Sequence, residues 1–394
     1  MTTTAHRDPV ITGTTVLFMS LAAALGTATI YPLQPAIADI ARSLDSGPAA
    51  VGAALACGPV GYLLGLALLV PLVDRFSPRW VVALQFLALG GALALTTVAD
   101  TVWLLGVGLL VTGACSSVGA GLSSVVGRFA PERRRATILG IVTAGISAGI
   151  LAGRIAGGWL TDVIGWHAML LTVAAVTIGV AGACLLFLPT AVGTLERNYL
   201  TELASVPGLF LRCRVLRRGA LRGSLWFFAF CAVWSGIAVA LSQEPYLLSA
   251  KQIGLYALAG IAGIFATRVA GVYTDRLGFR PVILVGLAVA AAACPVLAVG
   301  LSSPWATMAA LAVFDAGLFA AQVANQATIL AIDPSAPARF NSAYMLVYFV
   351  GGSLGTAFGA AAVISFGWPA TVSACGAALL VAGLLTVARA SRGS

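Results

Sequence analysis

Long apolar runs alternate with short polar breaks along almost the whole chain. The runs cover 15–36, 49–71, 80–99, 102–126, 136–160 and 168–188, then 223–241, 252–273, 281–301, 305–329, 343–364 and 370–388. Each is close to the roughly 20 residues that carry a helix across a bilayer. They are too long and too unbroken for barrel strands, which need only about 10 alternating residues. In lipid the backbone must satisfy its own hydrogen bonds, so the pattern predicts an all-α membrane protein of twelve transmembrane helices. The longest polar stretch falls in the middle. It divides the chain into a six-helix bundle at 1–190, a basic linker at 191–222 and a second six-helix bundle at 223–394.

The two bundles repeat one another. The loop "VDRFSPRW" after the second run has a partner, "TDRLGFRP", after the eighth, with Asp74 and Asp275 lying 201 residues apart. Gly149, Gly153 and Gly157 in the fifth run recur 202 residues later as Gly351, Gly355 and Gly359, and Gly165-Trp166 recurs at the same offset as Gly367-Trp368. Small residues at such spacing let membrane helices pack closely. A duplicated six-helix unit is a transporter architecture, with solute bound between the halves near the midplane.

Composition supports the membrane reading. Hydrophobic residues make up 60% of the chain and charged residues 9%, against about a quarter charged in soluble domains. A net charge of +9 could suggest nucleic acid, but its placement argues against that partner. With the N-terminus in the cytoplasm, all of the 22 Lys and Arg except Arg42, Lys251, Arg154 and Arg268 fall on the cytoplasmic side. This positive-inside bias places both termini in the cytoplasm. The opening "MTTTAHRDPV" leads into a run too long for a cleaved signal core, so it is expected to be retained. A single Lys beside 21 Arg, with abundant Ala, Gly and Val, suggests a GC-rich bacterial genome, hence a multi-pass protein of a bacterial inner membrane.

Other chemistry is sparse. The seven cysteines show neither metal-ligand spacing nor pairing and read as small apolar fillers. No Gly-Lys-Ser/Thr phosphate loop is present. His6 and His167 offer neither zinc spacing nor a hydrolase triad. The expectation is no enzyme, no cofactor and no metal.

Several segments resemble the major facilitator superfamily. "GVYTDRLGFRP" is similar to its loop signature, and "GILAGRIAGG" resembles the fifth-helix motif of its drug:proton exporters, with Arg154 in the proline position. "YPLQPAI" and the segment from Asp315 to Gly355 resemble a bacterial branch of drug- and sugar-efflux permeases. The chain departs from the pattern at Val70 and Ser77, where the family has glycines, and around Gly106, Gly108 and Gly113, where proton antiporters often carry an arginine. The resemblance implies that Asp74, Arg75 and Arg79, and Gly271, Asp275, Arg276, Gly278 and Arg280, form conformational latches on the cytoplasmic side. Gly278 supplies the positive φ such a turn needs. Arg268, one turn earlier, either joins the Asp275 cluster or extends to the interface.

Asp315 lies about 11 residues, or roughly 16 Å, into the tenth helix, at mid-membrane depth. An acid there should face a cavity or a partner. Desolvation disfavours its charged form, so it is a candidate to load and release a proton; the alternative is structural pairing. Helical spacing sets Phe319, Gln322 and Gln326 on its face, with Asn325 to the side. Arg154 either pairs with Asp162 or Asp39 toward the outside, or faces the centre and pairs with Asp315 or an anionic solute. The resemblance further implies that the first, fourth, seventh and tenth helices line the cavity. Tyr31, Gln34, Trp234, Gln322, Asn325 and Gln326 are its candidate lining, while interface-belt roles compete for Tyr31.

The leading expectation is a monomeric secondary transporter that exports a small drug-like or sugar-like solute in exchange for protons. Proton-coupled or facilitative uptake is the alternative within transport, and a non-transporting membrane sensor is the alternative outside it.

Overall fold

The computed structural model of the chain describes residues 12–190, 208–333 and 337–387. Among them there is no strand, and every apolar run lies largely on helix. The first half contains α1 (Gly13–Ala28), α2 (Pro48–Leu68), α3 (Pro78–Thr96) and α4, which runs as Val102–Ser116 and Val118–Phe129. The segment Glu132–Phe187 turns back at Gly165, where φ is 79°; its arms 132–164 and 166–187 are α5 and α6. The second half contains α7 (Arg214–Ser242) and α8, built from Ala250–Leu255, a tighter turn at Tyr256–Ala259 and Gly260–Leu277. It closes with α9 (Phe279–Val299), α10 (Pro304–Leu330), α11 (Pro337–Phe366) and α12 (Trp368–Val387). Ten described helices, with Ile138–Phe187 taken as one, are long and apolar enough to cross a membrane. Dividing that segment at Gly165 and adding the shorter α1 gives the twelve spans.

Polar punctuation sets the helix ends. Thr12, Thr101 and Ser303 each accept a backbone N–H from the first turn of the helix they precede. Ser249 and Gln252 form a reciprocal capping box at the start of α8. Pro48, Pro78 and Pro304 stand in first turns, where a missing N–H costs nothing. Gly278 and Gly367 take φ of 82° at the two other tight reversals. Ser77, which matches Gly278 in the repeat, takes φ of −64°, so the first-half copy of the loop turns without left-handed backbone.

Two ends differ from the apolar pattern. The first run extends to residue 36, but α1 stops at Ala28. Pro32 and Pro35 push Tyr31 and Gln34 out of helical conformation, and the chain crosses to the short helix Ile37–Ser43 in successive turns. At 1.5 Å per residue α1 is roughly 24 Å long, short of a hydrocarbon core of about 30 Å. Irregular backbone is tolerated at such depth only where protein or a cavity covers it. Conversely, α7 begins at Arg214 rather than at Gly223, because the basic residues there are compatible with helix and hydropathy alone cannot see them. Of the rest of the expected linker, 208–212 is also helical and 191–207 lies outside the described residues.

Matching glycine ladders set the packing of each half. A Cβ on Gly149, Gly153 or Gly157 would lie 2.1, 2.4 or 2.3 Å from the carbonyl oxygens of Ala24, Ala28 and Pro32. A Cβ on Gly351, Gly355 or Gly359 would meet Ser224 Oγ at 2.3 Å, Phe228 O at 2.2 Å and Ala232 O at 2.2 Å. Thus α5 seats on α1 and its continuation, and α11 seats on α7, at contact distances only glycine permits. Large apolar side chains such as Leu17, Trp103, Leu186 and Leu384 point outward and are exposed, as lipid-facing surface requires.

Chain tracing puts the start of α1, the end of α6, the start of α7 and the end of α12 at one end of the molecule, here the linker end. The halves close on each other at the opposite, far end. There Gly158 abuts the backbone of Ala250 and Gly254, Gly52 faces the Ala360 side chain, and Asp162 Oδ1 accepts the Lys251 N–H at 3.2 Å. At mid-height Tyr62 of α2 meets Phe349 of α11 with ring centroids 4.9 Å apart.

Candidate functional site

The break after α1 carries Gln34 to an arginine held deep between the halves. Arg154 of α5 is only 4% exposed, and its Nε donates to Gln34 Oε1 at 2.7 Å. Its guanidinium carbon lies 4.4 Å from the Trp234 ring centroid, 4.8 Å from that of Tyr31 and 5.7 Å from that of Phe230. Ring faces attract a cation, more strongly when it is desolvated. Three rings and one amide therefore offset part of the penalty that lipid depth sets on this charge.

Asp315 of α10 lies on the far side of Trp234. It is 1% exposed, and its Oδ1 accepts the Trp234 indole N–H at 3.3 Å. Arg154 and Asp315 interact electrostatically without forming a salt bridge. The indole separates them, one face toward the cation and its N–H toward the acid. Gln34, Arg154, Trp234 and Asp315 thus form one polar array running from the break after α1 and from α5 of the first half to α7 and α10 of the second. Gly260 of α8 faces the carboxylate: a Cβ there would stand 3.5 Å from Asp315 Oδ2, an ordinary contact distance.

This geometry decides among the partners open to Arg154 in the sequence. Asp162 and Asp39 are engaged elsewhere: Asp162 accepts from Lys251, and Asp39 is ion-paired with Arg42. Partial burial holds the Asp39 carboxyl above its ordinary pKa; Arg42 opposes the rise and Asp162 adds to it. Arg154 faces the centre instead. It lines a cavity of about 40 Å³ between the halves, together with Tyr31, Gln34, Tyr62, Phe227 and Phe349. That is room for water rather than for an organic solute.

Other predicted residues lie elsewhere. Gln322 accepts from the Tyr344 hydroxyl at 2.6 Å, and Gln326 donates to Asn341 at 3.1 Å. Asn325, expected on the cavity wall, is 1% exposed and turned toward α7, where its Oδ1 accepts from both Nε and Nη2 of Arg222. Arg222 is itself 6% exposed and also donates to Thr386. Its place directly before an apolar run groups it with the cytoplasmic basic residues in the sequence. Its partners are more than 100 residues away, and no local pattern points to them.

At the linker end, Asp275 and Arg276 are exposed, and among the described residues neither is in an ion pair. The exposed Arg268 likewise makes no contact with Asp275. Nothing lies within 4 Å of a Cβ on Gly271. The side chain of Asp74 lies outside the described residues, and Arg75 is exposed. Arg79 and Arg280 take matching positions: Arg79 donates to Leu188 O at the end of α6, and Arg280 to Thr386 O and Val387 O at the end of α12. Each loop arginine therefore caps the last helix of its own half.

A buried cation and a buried acid held across the interface of two repeated six-helix bundles are features of a carrier, and comparison with known proteins agrees. The sequence profile of the Major Facilitator Superfamily matches residues 16–243. The chain belongs to the major facilitator superfamily. Among relatives of this superfamily member, the uncharacterized transporter YgaY of Escherichia coli O157:H7 is 30% identical over 370 residues, covering 94% of each chain. The probable transporter SCO4007 of Streptomyces coelicolor is 31% identical over 375 residues, covering 95% of this chain and 87% of the relative. The class C tetracycline resistance protein of Escherichia coli is 28% identical over 272 residues, covering 67% and 68%. The fold is shared with the nucleoside transporter NupG at a TM-score of 0.74 and 14% identity, covering 94% of this chain and 98% of NupG. The chain is therefore a multi-pass membrane transporter rather than an enzyme.

Proposed function

We propose that this transporter moves a small organic solute by proton-coupled alternating access, with Asp315 as the proton carrier and Arg154 as the fixed cation beside it. The observation that carries the reading is the Gln34–Arg154–Trp234–Asp315 array. Its members come from the break after α1 and from three helices, and they span both halves, so rocking the halves must disturb it. A proton on Asp315 removes the charge that faces Arg154 through the indole, and the array then holds a different net charge. Bistable interfaces turn such local changes into rigid-body motion.

The sealed contacts at Gly158, Gly52 and Asp162 form the outer gate in this reading, and the exposed Asp275 and Arg276 belong to a released inner latch. Both termini then face the cytoplasm of a bacterial cell, in keeping with the basic linker and loops. The carrier works as a monomer.

Each direction of coupling has its own support. Export is favoured by relatives named as tetracycline resistance proteins. Uptake together with protons is favoured by the array itself, since protonating Asp315 leaves Arg154 as an uncompensated cation. Proteoliposomes with an imposed pH gradient and a panel of labelled drugs, sugars and organic acids separate the two. Solute flux against the proton flow supports export, and flux with it supports uptake. A panel whose members all ignore the pH gradient contradicts proton coupling.

A further inference from the structure

Among the described residues, Arg154 has unused donors. Nε is bonded to Gln34, while neither terminal nitrogen has a hydrogen-bond acceptor. The residue is almost fully buried, lines the central cavity and has no anion in salt-bridge contact. A guanidinium presents its donors as a planar fork that matches an oxyanion. The remainder of the cavity wall is mostly apolar and aromatic, with Tyr62, Phe227 and Phe349 closing it.

We infer that the cargo is an organic anion, admitted as the halves part at the Tyr62–Phe349 contact and enlarge the cavity, its carboxylate or comparable oxyanion seated on the free nitrogens of Arg154 and its apolar body against Tyr62, Phe227 and Phe349, and that anion and proton load together. This rests on the transport reading and takes its uptake direction.

The sign follows from charge. With Asp315 ionised, Arg154 and Asp315 sum to zero, and an anion would leave one uncompensated negative charge in a buried site. With Asp315 protonated, the site is cationic and the anion neutralises it. Burying an uncompensated charge is the more costly outcome. Proton and anion therefore favour each other's binding, and by linkage the effect is reciprocal. A cationic cargo meets the opposite situation: Arg154 repels it, the rings of Tyr31, Phe230 and Trp234 already face Arg154, and the indole screens Asp315 from the cavity. The charged group acting on Asp315 is Arg154; Tyr31 of the break after α1 and Cys231 of α7 are the other titratable groups acting on Arg154, and Gly260 is what α8 presents to Asp315. Of these groups, the Asp315 carboxylate is the one that the Trp234 indole links to Arg154, and it is the proton site of the proposal.

The test is binding to the purified full chain in lipid nanodiscs, followed by calorimetry. The probes are benzoate, 2-naphthoate and 4-phenylbutyrate, each beside its primary amide, with benzylamine as the cation. The carboxylates should bind about tenfold or more tightly than their amides, as a charge-assisted fork contact predicts. Their affinity should fall as pH rises and Asp315 loses its proton, measured where the probes themselves stay ionised. Arg154→Gln should erase the preference for carboxylate over amide, and Arg154→Lys should retain part of it. Asp315→Asn should keep the preference and lose the pH dependence.

Amides or benzylamine binding as tightly as the carboxylates would overturn the inference. So would carboxylate affinity that rises with pH, or no binding by any carboxylate. The wild-type comparison stands even if Arg154→Gln fails to fold. Anion binding without flux in vesicles would support the site and sink the transport reading; flux of neutral solutes with no anion preference would do the reverse.

Discussion

In α5, Gly149, Gly153 and Gly157 rest on the backbone of α1 and the turns that follow it; in α11, Gly351, Gly355 and Gly359 rest on α7 in the same order. Between the last two glycines of each triplet the helices part company. The first half has Arg154, and the second has Thr356, whose hydroxyl returns to the Gly352 carbonyl of its own helix. Asp315 is likewise unmatched, since 202 residues earlier the chain has Gly113. What the halves share is packing, and what they do not share is charge at the buried centre. Within one duplicated frame, the buried polar departures mark the chemistry: the first half contributes the cation and the second the acid.

Substitutions can break or sharpen that comparison. The largest effect is expected from the shared part. Gly153→Val and Gly355→Val each place atoms within van der Waals radius of a facing carbonyl, and each should cost about 3 kcal/mol or more. Both should sharply lower the yield of monodisperse protein and its melting temperature in detergent; tolerance in one half alone would show that the two ladders are not equivalent.

Next come the unshared charges. Asn325→Leu leaves Arg222 buried without its main acceptor and should destabilise by about 2–3 kcal/mol, measured by thermal unfolding. Adding Arg222→Met should recover most of that loss, because two apolar groups of suitable size need no partner. If the double variant is no better than the single one, Asn325 is held for another reason. A smaller stability effect is expected from Thr356→Val, at most about 1 kcal/mol for one local hydrogen bond. It should leave transport near wild type; a strong transport defect would mean that the second half contributes at this position after all.

The smallest effect comes from the loops. Gly278→Ala forces a Cβ into positive φ and should cost about 1 kcal/mol. Ser77→Gly, at the matching position with φ of −64°, should change stability by a few tenths through the unfolded chain alone. Equal effects at the two loops would deny the difference in backbone geometry.

The fold is legible in the sequence because lipid leaves few options: run length, charge placement and a 202-residue repeat set the helices, their number and the glycine ladders. The centre is legible in part. The depth of Asp315 and the oddity of Arg154 stand out in the sequence, as does "YPLQP", whose prolines end α1. Which groups meet across the bundle is not legible. The indole between Arg154 and Asp315 brings together residues 80 and 81 positions apart, and the Arg222–Asn325 contact spans 103. Helical periodicity places a residue on a face but does not say which helix lies opposite. For the same reason periodicity sends Asn325 toward the cavity, while its neighbour on α7 claims it.

Coupling of proton to solute at Asp315 is tested most directly in proteoliposomes carrying Asp315→Asn. The same labelled solute is followed twice, once under an imposed pH gradient and once by exchange against unlabelled solute. The account predicts that gradient-driven accumulation is lost while exchange persists. Accumulation at the wild-type level in Asp315→Asn would contradict it.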